Sequence, residues 1–418
     1  MPRARAHRCE ESLSGVLFAH GAPRNSRQWT RRCVAHATMS SEPPWPAITA
    51  ALATSDRLPR PLHTAVQRHL YNLSFTNASH EPLPRTFRPP VFGCPHGQRE
   101  RPKSVRVFDL FLFSFELDVL EMRLYELNAT VDAFVIVESP WTLRGAPKPL
   151  VYQKYASRFA AFASKIVHVV VPTRDLGAAL NESRAQWDSD VFYGLQLAMQ
   201  AAGWERLRAL APRPTDLLVL GDVDEIPGAR LMHELTACDP SAHELPLRLQ
   251  SAFHRFTFSH RLGDAWPHPV VVRFDQVPSG FDFVKFPSDL VKSTVRSGFH
   301  LNRFGPPALQ LYKHFANGEG GSVPVGGVPL LRDPNRVGGR LVARGIRICC
   351  PGDAPIRPTV PRNLPAVVRQ NLPRYKAYFH PAVYKATVAA VARRLEPDRR
   401  SRRARALKES TTGSRSSA

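Results

Sequence analysis

The sequence predicts an α/β protein: a mostly parallel sheet flanked by helices, followed by a mixed second half. Three observations carry this. Short apolar runs alternate with helical stretches four times between residues 105 and 227, the pattern of successive β-α-β units. One run, Leu217 to Leu220, is apolar throughout, as in a strand buried on both faces, and ends in Asp222-Val223-Asp224-Glu225. After Pro227 the rhythm becomes that of antiparallel strands, from Leu245 to Ser259 and from Val270 to Phe274.

In order, Arg106 to Phe115 reads as the first core strand, and Glu116 to Leu127 as an amphipathic helix with Leu117, Leu120, Leu124 and Leu127 on one face. Ala133 to Ser139 is a second strand ending in Glu138, and Pro149 to Ala163 a partly helical crossover. Lys165 to Pro172 is a third strand, and Val191 to Leu210 a helix leading to the central run. No glycine-rich dinucleotide fingerprint follows any strand. Pro361 to Phe379 reads as a helix with prolines at its ends.

Residues 1–104 read as a basic Pro/Arg-rich extension expected to be poorly ordered, with a short helix at Thr64 to Leu73. Residues 105–380 form the folded domain, and 381–418 a basic tail. The net charge is +22. Residues 1–104 and 391–418 carry about two-thirds of it, counted from the sequence, so it belongs to the ends and nucleic acid is not expected as a partner. The six cysteines show neither a C-x-x-C pair nor zinc spacing. Glycosylation sequons at Asn72, Asn77, Asn128 and Asn181 favour a secretory route, although no signal or membrane-spanning segment is evident.

The chemistry is expected at the carboxyl end of the central run, where open α/β sheets bind ligands. Asp222 and Asp224, one residue apart, project to the same side and invite a hard divalent cation, Mn²⁺ or Mg²⁺, that can bridge to phosphates. A solvated acidic turn is the plain alternative. Glu116 and Asp118 also suit the first turn of a helix. Trp266 suits either a sugar face or the core. Glu225, Asp264, Asp275 and Asp282 remain open as the base.

Several stretches together are similar to glycosyltransferase family 17. They are Phe115 to Arg123, Val131 to Ser139, Gly145 to Leu150, Gly221 to Pro227, Trp266 to Pro269, Ser297 to Leu301 and Leu364 to Phe379. The resemblance implies a GT-A-like fold with a nucleotide-binding half and an acceptor-binding half. It also implies UDP-GlcNAc as donor, an N-glycan mannose on a glycoprotein as acceptor, β-1,4 linkage with inversion, and residence in the Golgi. Carried over residue by residue, Asp222 and Asp224 would hold the metal and diphosphate, with His300 (or His314) as third ligand. Glu116, Asp118 and Glu138 would border the donor, and Trp266 and His268 would contact substrate. The family usually has Asn where Phe115 stands, Trp where Phe299 stands, and a polar pair where Phe192-Tyr193-Gly194 stands. These departures motivate the alternative of a GT-A-like protein that binds a nucleotide sugar or glycan without catalysing.

Overall fold

The computed structural model describes residues 42–53, 55, 57–75, 81, 87, 90–100, 105–185, 194–239, 243–278, 286–317, 327–343 and 356–393. Among the described residues two helices come first, α1 (Trp45–Leu52) and α2 (Arg60–Phe75), then the short β1 (Arg99–Glu100). The α/β half holds β2 (Val107–Leu112), α3 (Leu117–Leu127), β3 (Ala133–Glu138), α4 (Val151–Lys154) and β4 (Ile166–Val170). It continues with α5 (Thr173–Ala185), α6 (Gly194–Arg208) and β5 (Leu217–Leu220). Beyond it lie β6 (Glu225–Ile226), α7 (Ala229–Ala237), β7 (Cys238–Asp239), β8 (Leu247–Arg255), β9 (Arg261–Trp266) and β10 (Val270–Arg273). β11 (Ser293–Asn302), α8 (Pro307–Asn317), α9 (Gly327–Arg332), α10 (Pro334–Ala343) and α11 (Ala366–Gln370) follow. A last helix covers 381–393.

One large mixed sheet runs β4-β3-β2-β5-β10-β8-β11-β6, with β9 beside β8. Period-2 alternation sorts the side chains of β2 between two layers. Val107 and Phe111 pack with the leucines of α3, while Phe108 and Leu110 pack with Leu195, Met199 and Leu207 of α6. At Gly203 on α6 a Cβ would meet Val137 Cγ2 at 2.5 Å, so only glycine lets this helix lie so close to the sheet.

The change from parallel to mixed pairing falls where the sequence places it, and two expectations about the ends of the chain need correction. The sheet is mixed: β4, β3, β2 and β5 are parallel neighbours, but β10 enters antiparallel to β5 and to β8. Past Pro227 the pairing is of both kinds: β9 lies antiparallel to β8 and β6 to β11, while β11 returns parallel to β8. Residues 42–75 are not a loose extension. Ile48, Leu62, Val66 and Leu70 are sealed into the main core. Tyr71 meets Tyr312 edge-on at 5.6 Å, and His63 meets Phe315 at 5.0 Å. The tail expected from 381 begins as a helix, with Val391 packed into the cluster around Tyr375 and Tyr378. Residues 1–41, Asn77, Trp187 to Tyr193, Asp282 and Cys349-Cys350 lie outside the described residues.

Candidate active site

The chain turns sharply at Gly221, just past β5. A Cβ there would meet Pro269 Cβ at 2.8 Å and Glu225 Oε2 at 2.9 Å, so glycine leaves the turn room to close. Glu225 N donates to Asp222 O at 2.9 Å. Arg123 of α3 supports the turn from the core. Its Nη1 donates to Asp222 O and Glu225 O, each at 2.8 Å. Its Nε and Nη2 grip both oxygens of Asp109 at 2.8 and 2.6 Å, with both side chains sealed from solvent. A bidentate, charge-assisted pair of this kind fixes geometry as well as charge.

β11 crosses the same turn. Gly298 has φ +82° and lies so close that a Cβ would stand 2.3 Å from Ile226 O. The antiparallel register then sets His300 opposite Glu225, and Leu301 N donates to Asp224 O at 2.8 Å.

The three carboxylates of the turn meet different surroundings. Asp222 is exposed. Asp224 is buried, and its Oδ2 accepts from Lys313 Nζ of α8 at 2.7 Å, with His300 Nε2 3.9 Å away. Burial would raise the Asp224 carboxyl, but Lys313 and then His300 outweigh it and hold the group below the usual aspartate range. The same ammonium lies 3.2 Å from Glu116 Oε1. Glu225 goes the other way: burial, then the neighbouring Asp222 and Asp224 carboxylates, push it up to about 8. Its Oε1 accepts from Trp266 Nε1 at 2.6 Å, and its Oε2 from Asp222 N at 2.9 Å. The Trp266 ring stacks on His300 at 4.2 Å, and His300 stacks on Phe253 at 4.8 Å, making an aromatic wall. His268 sits at its rim, 6.2 Å from Trp266.

Asp222, Asp224, Glu225, Trp266, His268 and His300 are thus gathered at one place, and Glu116 joins them through Lys313. Asp118 and Glu138 do not. Asp118 is bound by Arg158 and the Tyr378 hydroxyl. Glu138 is fully buried, accepting from Tyr152 N at 3.0 Å at the start of α4 and facing Lys148 and His168. His314 lies towards α2, where its charge acts on His63. Asp264 pairs with Arg261 and Asp275 with Arg273, whereas Glu225 is hydrogen-bonded within the turn and to Trp266. Lys313 and Phe253 were missed by sequence reasoning. Arg123 stood inside a recognised stretch without an assigned role; a basic residue on the apolar face of a helix was its one signal.

The donor set does not fit the metal expected at Asp222, Asp224 and His300. Among the described residues, three His, Cys, Asp or Glu ligand atoms lie within 4.8 Å of one another only at Cys94, His233 and Cys238. The two sulfurs there form a disulfide. At the turn, the Asp224 oxygen nearest His300 already faces the Lys313 ammonium. A cation bonded to that oxygen would meet a like charge within a few ångströms.

The sequence profile of glycosyltransferase family 17 matches residues 91–301. The chain belongs to glycosyltransferase family 17. The matched region runs from the segment before β2 through β5, the acidic turn and β11 as far as Leu301. Among similar proteins is the β-1,4-mannosyl-glycoprotein 4-β-N-acetylglucosaminyltransferase of Rattus norvegicus, 32% identical over 137 residues. The Homo sapiens protein of the same name is also 32% identical, and that of Mus musculus 31%. The aligned stretch covers 32% of this family 17 chain and 24% of each relative's length. No solved structure matches.

Proposed function

We propose that this chain is an inverting glycosyltransferase with a GT-A-like fold, moving N-acetylglucosamine from UDP-GlcNAc to a mannose of a glycoprotein N-glycan in β-1,4 linkage. The observation that carries the reading is the Asp222-to-Glu225 turn at the carboxyl end of β5, where the parallel strands give way to β10. Nucleotides bind open α/β sheets at such ends. Membership of family 17 supports glycosyl transfer, and the relatives' name supports the sugar and the acceptor.

In this reading the acceptor hydroxyl oxygen bonds to the anomeric carbon as the bond from that carbon to the diphosphate breaks. The hydroxyl proton passes to Glu225, and the bonding electrons leave with UDP. A carboxyl near 8 is a stronger base than an ordinary glutamate and is matched to a near-neutral working pH. Trp266 orients it through Nε1, and the aromatic wall offers a face for a sugar ring. Asp222 is the exposed carboxylate of the turn.

The Cys94–Cys238 disulfide suits an oxidising compartment, and the sequon residues Asn72 and Asn181 are exposed. Both support the secretory pathway, with the Golgi as proposed site. Among the described residues no helix is long and apolar enough to cross a membrane.

The test is UDP release from a panel of UDP-sugars by the purified chain, with and without a biantennary N-glycan, and assignment of the product linkage by NMR. Acceptor-dependent release from UDP-GlcNAc alone, lost in Glu225→Gln, is the expected result. The second reading, binding without catalysis, is favoured by Phe115. That ring is buried and edge-on to Tyr312 at 4.8 Å, where the family usually has a polar residue. UDP binding by a folded protein that turns over no donor would establish it.

A further inference from the structure

We propose that Lys313 is the resident cation of this site: its ammonium, in place of a divalent ion, meets the donor diphosphate, so nucleotide binding does not depend on metal. The inference rests on the transferase reading above and deepens it.

Two carboxylates converge on this ammonium, Asp224 Oδ2 at 2.7 Å and Glu116 Oε1 at 3.2 Å. All three side chains are less than a tenth exposed. Charges so far from water persist only when paired and hydrogen-bonded, so Lys313 is what keeps the buried carboxylate of the acidic turn ionised. The position is rigid. Tyr312, the neighbouring residue on α8, is wedged between Phe115 at 4.8 Å and Tyr71 at 5.6 Å, and Leu311, Phe315 and Ala316 are buried in the main core. The ammonium is therefore delivered to the carboxyl end of the sheet by packing on both sides of it.

Lys148 is a second buried ammonium at this end of the sheet, 3.5 Å from Glu138 Oε1 and within electrostatic reach of Glu116. The row Glu138, Lys148, Glu116, Lys313, Asp224 alternates in sign. The row ends at Asp224, two residues from exposed Asp222, and Lys313 is the cation paired with that end. A lysine binds phosphate as a point charge. During transfer Lys313 gives up no proton; it donates a hydrogen bond to the diphosphate oxygens as they receive the electron pair of the breaking bond.

The test uses the full chain, UDP as ligand and Mn²⁺ as metal probe, read by calorimetry and by electron paramagnetic resonance of Mn²⁺. The wild type should bind UDP equally in chelator and in Mn²⁺, and should take up no stoichiometric Mn²⁺. Lys313→Met, which keeps the aliphatic stem, should bind UDP at least about tenfold more weakly in chelator, the loss of one charged hydrogen bond. It should also acquire a Mn²⁺ site that partly restores UDP binding, because the unpaired Asp224 and Glu116 would then accept the ion. Lys313→Arg should recover part of the metal-free affinity. Stoichiometric Mn²⁺ on the wild type, lost in Asp224→Asn, would overturn the proposal, as would UDP binding that collapses in chelator. Absence of UDP binding under every condition would sink the transferase reading, while the Mn²⁺ spectra of the two proteins would still decide what occupies the cation's place. If Lys313→Met does not fold, the two wild-type measurements decide alone.

Discussion

Arg123 and Asp109 meet through two hydrogen bonds inside the core, and the remaining nitrogen of the same guanidinium holds the backbone of Asp222 and Glu225. The acidic turn is thus fixed by a buried ion pair that any substrate would leave untouched. Arg123→Met should cost about 3–5 kcal/mol of stability, because it strands a buried carboxylate. The double variant Asp109→Leu/Arg123→Met should recover much of that loss in urea unfolding, yet still fail to bind UDP with the wild-type affinity, since the carbonyls of the turn remain ungripped. Full recovery of UDP binding in the double variant would show that Arg123 serves stability alone.

Glu225→Gln should lower kcat by roughly 10²–10⁴-fold in a protein that still folds. Its single amide oxygen cannot replace both acceptors of Trp266 Nε1 and Asp222 N, so the thermal midpoint should shift modestly as well. The base must be ionised, so kcat/KM of the wild type should rise with pH along a limb centred at about 8. Trp266 donates to the carboxylate and so favours its charged form. Trp266→Phe should therefore move that limb to higher pH. A limb that stays in place or moves down would remove Glu225 as the titrating base.

A chain beginning at residue 105 should fail as an independent unit. It lacks α1 and α2, whose Leu62, Val66, Leu70 and Phe75 are buried against the main core, each contributing about 1.5–3 kcal/mol. Those contributions rival the roughly 5–15 kcal/mol that a whole domain commands. Circular dichroism and urea titration should show a loosened, dye-binding species. An unchanged unfolding midpoint would mean that the two helices are ornamental.

Acid should destabilise the fold before its ordinary carboxylates titrate; Glu225, raised to about 8, acts in the opposite sense but is one group against three histidines. Burial first, with Arg144 and His314, depresses His63 to about 3. Burial first, with Arg261, depresses His254 to about 4, and burial with His380 brings His260 to about 4. Below an ordinary histidine value of about 6.5 the unfolded chain takes up protons that the folded chain refuses. The stability from these groups is therefore complete above about pH 6.5 and is lost as pH falls towards about 4. The thermal midpoint should drop between about pH 7 and about pH 5, and His254→Asn/His260→Asn should flatten the slope. An unchanged slope in that variant would assign the acid sensitivity to other groups.

The sequence by itself determined the alternation up to β5, the amphipathic face of α3, and the place of Asp222, Asp224 and Glu225 at a strand's carboxyl end. These follow from local periodicity and turn chemistry, which act over a few residues. Only the tertiary structure decided what each carboxylate does. Lys313 reaches Asp224 from 89 residues away, and Trp266 reaches Glu225 from 41. The packing of α8 and the register of β9 on β8 set those meetings, and no local pattern encodes them. Asp118 and Glu138 share the same sheet end in sequence terms, but Arg158, Tyr378 and the first turn of α4 claim them. The basic composition of residues 1–104 likewise hid Leu62, Val66 and Leu70, spaced four apart on one face of α2. Burial of that stripe needs a partner, and the partner, α8, lies some 240 residues further along the chain.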